Sequence, residues 1–232
     1  MSGWRARLRA WAGEEKVKIA EIPTGRKRLE YIWSYYKLWI IGIVFVVWFA
    51  GFTIRQYTTT LHDYWCFMVF TNTYADVGNG SELWEDYTEY AGFDLREKAV
   101  EFNANSYVDY LNGVTGNSYF EAFVAYADSG TLDGIVSGRE SLTALGKTGR
   151  LMDLNSEACA SIKAKYGDRF LYAVPNDESY GTGEIPVCID ISDSRLVTEY
   201  GAYAEPCALG IGALSENVDS MELFLDYIFL QE

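Results

Sequence analysis

Few residues of this 232-residue chain have types and spacings that could do chemistry. His62 is the single histidine, so a Ser-His-Asp or Cys-His relay would have to run through it, and no nucleophile elbow accompanies it. One histidine and scattered cysteines do not make a zinc site. Glu85, Asp86 and Glu89 bring together carboxylates of the kind glycosidases use. Their spacing is equally that of a solvated acidic helix face. Residues 141–148, SLTALGKT, imitate a phosphate-binding loop ending in Gly146, Lys147 and Thr148, but Ser141 replaces the first glycine and compromises the backbone cradle. In residues 129–140, SGTLDGIVSGRE, Asp133, Gly134 and Glu140 fall at the fifth, sixth and twelfth positions of a calcium loop, while Ser129 and Thr131 stand where ligands belong. Nucleophile, base and oxyanion donors never occur together, so no catalytic residue, cofactor or metal is expected.

Cys66, Cys159, Cys188 and Cys207 all follow the apolar run described next. An even count in an oxidising compartment permits disulfides, and Cys188 with Cys207 would close a short loop. Buried free thiols in apolar strands are the equal alternative. Asn79, Gly80 and Ser81 fit a glycosylation acceptor.

The elements that must position any site begin with residues 38–54, LWIIGIVFVVWFAGFTI, framed by Lys37 and Arg55. At about 1.5 Å per residue this uncharged run approaches bilayer thickness. Lys37 and Arg55 can snorkel, and Trp39 and Trp48 with neighbouring tyrosines suit the headgroup level. Residues 1–37 carry nine Lys or Arg against four Glu, net +5; the rest carry ten against 29, net −19. Positive residues stay inside. The expectation is an uncleaved, single-pass anchor in the cell membrane, with the N-terminus cytoplasmic and the C-terminal domain extracytoplasmic. The expected boundaries are a basic arm at 1–24, the span and its flanks at 25–56, and an outer domain at 57–232. In the arm, Trp4, Leu8 and Trp11 follow helical spacing among arginines, as in a helix lying on anionic lipid. The alternative is a frayed basic tail.

The outer domain alternates strand and helix. Apolar runs predict strands at 64–71, 99–107, 132–137, 170–174, 187–191 and 208–213. Helical spacing predicts helices at 81–91 with Ser81 as cap, at 118–128, from 140, and after Ser215. On the first, Leu83, Trp84, Tyr87 and Tyr90 should face inward. That order implies an α/β sheet, at least partly parallel, in one compact domain.

Residues 127–154, ADSGTLDGIVSGRESLTALGKTGRLMDL, and the C-terminal ALGIGALSENVDSMELFLDYIF resemble one lobe of bacterial extracellular solute-binding proteins of ABC importers, of the sugar-binding type. The family's strand-borne aspartate matches Asp133, and Gly149, Leu151, Asp153 and Leu154 match its closing stretch. The second segment is similar to its returning strand, Ser/Asn turn and closing helix. Only 53 residues (155–207) separate the segments, too few for a second lobe, so the resemblance implies a one-lobe relative.

Ligands of open α/β sheets lie beyond the carboxyl ends of strands. That rule points to Asn72, Thr73 and Tyr74 and to Ser137, Arg139 and Glu140 as candidate contacts, with turn and cap chemistry as the plainer explanation. Tyr180, in the Gly-rich acidic loop NDESYGTGEIP, is a candidate exposed anchor. The expected partners are the lipid bilayer and a membrane protein, either a transporter or an envelope complex on which the domain serves as accessory subunit. A small solute such as a sugar is the alternative ligand. Strong negative charge disfavours nucleic acid.

Overall fold

The computed structural model describes residues 25–60, 63–111, 116–177 and 183–230. The chain divides into two units, Met1–His62 and Asp63–Glu232. In the first, α1 (Gly25–Thr60) is one continuous helix. Its stretch Tyr36–Thr53 is long and apolar enough to cross a membrane, with a mean hydropathy of 1.8. Trp39 and Trp48 are exposed on it, as is Lys37. Phe45 stacks on Phe49 and Trp48 on Phe52, with centroids 6.1 and 5.8 Å apart, so part of the apolar surface is an aromatic stripe. Arg55 belongs to the same helix. The expected basic amphipathic segment lies outside the described residues.

The second unit is a six-stranded mixed sheet ordered β2-β1-β3-β6-β5-β4. In chain order the strands are β1 (Tyr64–Thr71), β2 (Ala99–Ser106), β3 (Gly134–Gly138), β4 (Phe170–Ala173), β5 (Ile185–Asp190) and β6 (Cys207–Ile211). β1 pairs in parallel with β2 and β3. β6 returns antiparallel between β3 and β5, and β4 closes the far edge antiparallel to β5. The helices are α2 (Glu82–Ala91), α3 (Ser118–Asp128), α4 (Arg139–Gly146), α5 (Ala160–Tyr166), α6 (Arg195–Thr198) and α7 (Val218–Ile228).

β1 reads as an unbroken apolar run because both of its faces are covered. Cys66, Met68 and Phe70 pack with Leu83 and Tyr87 of α2 and Met221 and Phe224 of α7. Phe67 and Val69 pack on the other face with Phe123 of α3 and Leu142 of α4. Tyr87 is fully buried, stacks on Phe102 at 5.7 Å, meets Phe224 edge-on at 5.2 Å and donates its hydroxyl to the Ser220 carbonyl at 2.8 Å. Such a side chain contributes roughly 1.5–3 kcal/mol by burial.

Ser81 caps α2 as its sequence predicts, accepting from the Trp84 N–H, and Gly92 closes the helix at φ 66°. Tyr90, expected inward, is 43 % exposed: it lies on the flank of α2 and meets only the edge of the core, its ring 5.3 Å from Tyr227. Ser215 does not cap the last helix, which starts at Val218 with Asn217 before it. Its hydroxyl instead reaches the Asp133 carboxylate at 2.6 Å.

That carboxylate is the polar pin of the fold. Asp133 is 1 % exposed, and it accepts from the Phe67 N–H at 2.8 Å and from Asn217 Nδ2 at 3.2 Å in addition to Ser215. It ties β1 and β3 to the turn preceding α7. Burial raises its pKa above the usual carboxylate value, and these hydrogen bonds work in the opposite direction.

Candidate functional site

The sheet directs the carboxyl ends of β1, β2, β3 and β5 to one end, where β6 begins. The sequence-predicted loops meet there. Asn72 sits at φ 58°, a left-handed conformation that asparagine tolerates better than most residues. Its Nδ2 donates to the Val108 carbonyl at 2.7 Å, its Oδ1 accepts from the Val108 N–H at 3.3 Å, and its own N–H bonds Ser106. Asn72 therefore clamps the chain leaving β2 to the end of β1. Thr73 is half-buried, whereas Tyr74 is 74 % exposed with its N–H held by the Ala202 carbonyl.

Ser137 is buried and bonded to the Thr71 hydroxyl at 2.8 Å. The Arg139 guanidinium pairs with Asp190, and the Arg139 backbone N–H donates to the Pro206 carbonyl. Asp190 also accepts from the Ser192 N–H at 3.1 Å and lies 2.6 Å from its hydroxyl. Glu140 is exposed in the first turn of α4, where a carboxylate suits the helix dipole. Asn72, Ser137 and Arg139 are thus engaged with the protein's own groups. Besides Glu140, this end offers outward apolar and aromatic groups: Tyr74, Tyr107 at 50 % exposure and Leu111 at 53 %. Tyr180 lies outside the described residues.

The pairing of Cys188 with Cys207 is not formed; all four cysteines are free and buried. The reason is the pleat. Cys188 belongs to the face packed by α4, where Thr143 lies 3.7 Å from its sulfur, and Cys207 belongs to the opposite face. Side chains on opposite faces of one sheet cannot be bridged. Burial pushes the Cys188 thiol up to about 11 and that of Cys207 to about 12, in both cases against the nearby Arg139 charge. Neither is a reactive thiolate. No group of three or more His, Cys, Asp or Glu side chains able to hold a metal occurs among the described residues.

Beside this end lies a feature that the strand-end rule misses. An open cleft of about 750 Å³ runs along β2, with Glu101, Asn103 and Asn105 on its floor, Tyr119 and Tyr126 of α3 on one wall and the loop of Asp76 and Asn79 on the other. It exists because α3 covers β1 and β3 while β2 is the edge strand. The signal was present in the sequence. β1 is apolar at every position from 64 to 70, whereas β2 alternates Val100 and Phe102 with Glu101 and Asn103, the mark of one uncovered face. Asn79 is committed to closing this edge, since its Oδ1 accepts from the Phe102 N–H at 2.6 Å and its Nδ2 donates to Glu101 at 2.7 Å. It is poorly placed to carry a glycan. Comparison with protein-family models, curated proteins and solved structures finds no match for this chain.

Proposed function

We propose that the chain is a single-pass membrane protein whose α/β domain is an accessory or sensing module docking on a membrane transporter or other envelope complex. The basic N-terminal arm lies in the cytoplasm and the domain outside, following the charge asymmetry about the span. One observation carries the docking reading. At the end of the sheet where a solute would be expected, Asn72, Ser137 and Arg139 are engaged with the protein's own groups, while Tyr74, Tyr107 and Leu111 stand exposed. Exposed tyrosines on a polar rim suit protein recognition, where aromatic anchors supply most of the affinity. Tethering to the bilayer raises the domain's effective concentration near a membrane partner. The resemblance to one lobe of a solute-binding protein rests on the sequence of residues 127–154 and of the C-terminal segment, whose Ser215 and Asn217 are joined by hydrogen bonds to Asp133 of the first.

The test is co-purification of full-length protein from native membranes in mild detergent, comparing wild type with a Tyr74→Ala, Tyr107→Ala double variant. Stoichiometric recovery of a membrane protein that the variant loses supports docking. Recovery of the chain alone refutes docking and favours solute capture; equal recovery of a partner by both forms refutes the assignment of the contact to Tyr74 and Tyr107.

A further inference from the structure

The cleft along β2 is not one of the predicted strand-end loops, and its chemistry is specific. Phe102 and Ala104 contribute to its floor beside Asn103 and Asn105, and Thr73 and Ser106 close it toward the rim. Among the described residues, the hydroxyls of Thr73, Tyr119 and Tyr126 and the Asn105 amide bond no other side chain or backbone group. Asn103 Oδ1 accepts from the Asn105 N–H and the Ser106 hydroxyl, which leaves its Nδ2 donors facing no protein acceptor. The ladder between β1 and β2 shifts register here, Val69 opposing Asn103 and Thr71 opposing Ser106, so β2 carries an extra residue. Such bulges re-aim side chains and cluster near binding sites. The lining includes two carboxylates, Asp76 and Glu101, with no Lys, Arg or His.

We infer that this cleft binds an extended, basic peptide segment, the portion of the docking partner that lies alongside the domain. A peptide backbone presents alternating donors and acceptors, which side-chain amides and hydroxyls answer in both senses. Lys or Arg side chains of the segment meet Glu101 and Asp76, and its apolar or cationic stems lie on the faces of Tyr119 and Tyr126. An anionic ligand would bring its charge to carboxylates with no lining cation. The domain's overall negative balance steers the same class of partner toward it. This assignment rests on the docking reading and names the chemistry of what docks.

The experiment uses full-length protein in nanodiscs of neutral lipid and three probes: a blocked octapeptide of alternating Lys and Ala, its Glu-Ala counterpart, and spermine. The Lys-Ala peptide should bind, the Glu-Ala peptide should not, and spermine should bind more weakly. Glu101→Gln and Asn105→Ala should each weaken the Lys-Ala peptide by about tenfold, while Glu89→Gln, which removes an exposed carboxylate on α2, should leave it unchanged. Asn105→Lys, which brings a positive charge to an exposed position of the cleft, should abolish binding in a protein that remains folded by circular dichroism. Equal binding of spermine, or equal losses from Glu101→Gln and Glu89→Gln, would reduce the effect to diffuse charge and overturn the assignment. Retention of a co-purifying partner by Asn105→Lys would also overturn it while leaving docking intact. Lys-Ala binding that obeys the variants, in a protein that co-purifies with nothing, would uphold the cleft and remove the docking reading.

Discussion

Replacing Asp133 by alanine removes the acceptor shared by the Phe67 N–H, the Ser215 hydroxyl and the Asn217 amide inside a site that is 1 % exposed. The Phe67 N–H loses the acceptor it uses, and an unsatisfied buried donor costs about 1–3 kcal/mol. Loss of the charge-assisted bonds to Ser215 and Asn217 adds to this, while relief of the carboxylate's own burial offsets part of it. The net expectation is a loss of about 3 kcal/mol. With a urea m-value of about 2 kcal/mol/M, the midpoint should fall by about 1.5 M. Urea unfolding of the full chain in nanodiscs, followed through Trp65 and Trp84 fluorescence, reads this directly.

Asp133→Asn keeps one acceptor and should lose about half as much. The two forms should also differ in pH dependence. Because burial raises the Asp133 pKa, the carboxyl takes up its proton more readily in the folded chain than in the unfolded one. Its contribution is fully present below the ordinary carboxylate value and is lost as pH rises through the raised folded value. The stability advantage of wild type over Asp133→Asn should therefore shrink as pH rises through that window. A loss below about 0.5 kcal/mol for Asp133→Ala would refute the reasoning, since that is the range of ordinary surface substitutions. So would an advantage over Asp133→Asn that grows with pH.

Gly212→Ala should cost at least about 3 kcal/mol or prevent folding, because a Cβ there would lie 2.1 Å from the Leu132 carbonyl oxygen; thermal melts check it against Gly138→Ala, where nothing lies within 4 Å. The four buried thiols should resist Ellman's reagent at pH 8 in the native protein and all react in urea, giving four equivalents without reductant; fewer would reveal a disulfide. Val46→Arg in the apolar stretch of α1 should cost about 2.5–3.5 kcal/mol of insertion and release the chain into the alkaline carbonate supernatant, whereas Lys37→Ala should not.

Elements dominated by one period were legible in the sequence. β1 and α3 fall at 64–71 and 118–128, the bounds their patterns imply, because a doubly covered strand and a one-sided helix each have a single burial solution. Boundaries failed where polar residues serve tertiary partners. Ser215 has the composition of a helix cap, but its hydroxyl belongs to Asp133, 82 residues away in the chain. The disulfide expectation failed because spacing along a chain does not report which side of the pleat a cysteine takes. Helix α5 escaped because ASIKAKY buries only Ile162. The strand-end rule gathered Asn72, Ser137 and Arg139 at one end of the sheet, yet their hydrogen bonds run inward. The cleft on β2 left a trace in the sequence, the alternation of Val100 and Phe102 with Glu101 and Asn103, but placing it also needs the sheet order that leaves β2 at the edge.

The most direct test places a photo-crosslinking phenylalanine analogue at position 74, at position 107 and, as control, at Tyr172, an exposed tyrosine of the opposite edge strand β4. Irradiation of membranes carrying the full-length protein should give one discrete adduct with a membrane protein from positions 74 and 107 and none from 172. No adduct at any position, or adducts equally strong from 172, would contradict docking through the carboxyl end of the sheet.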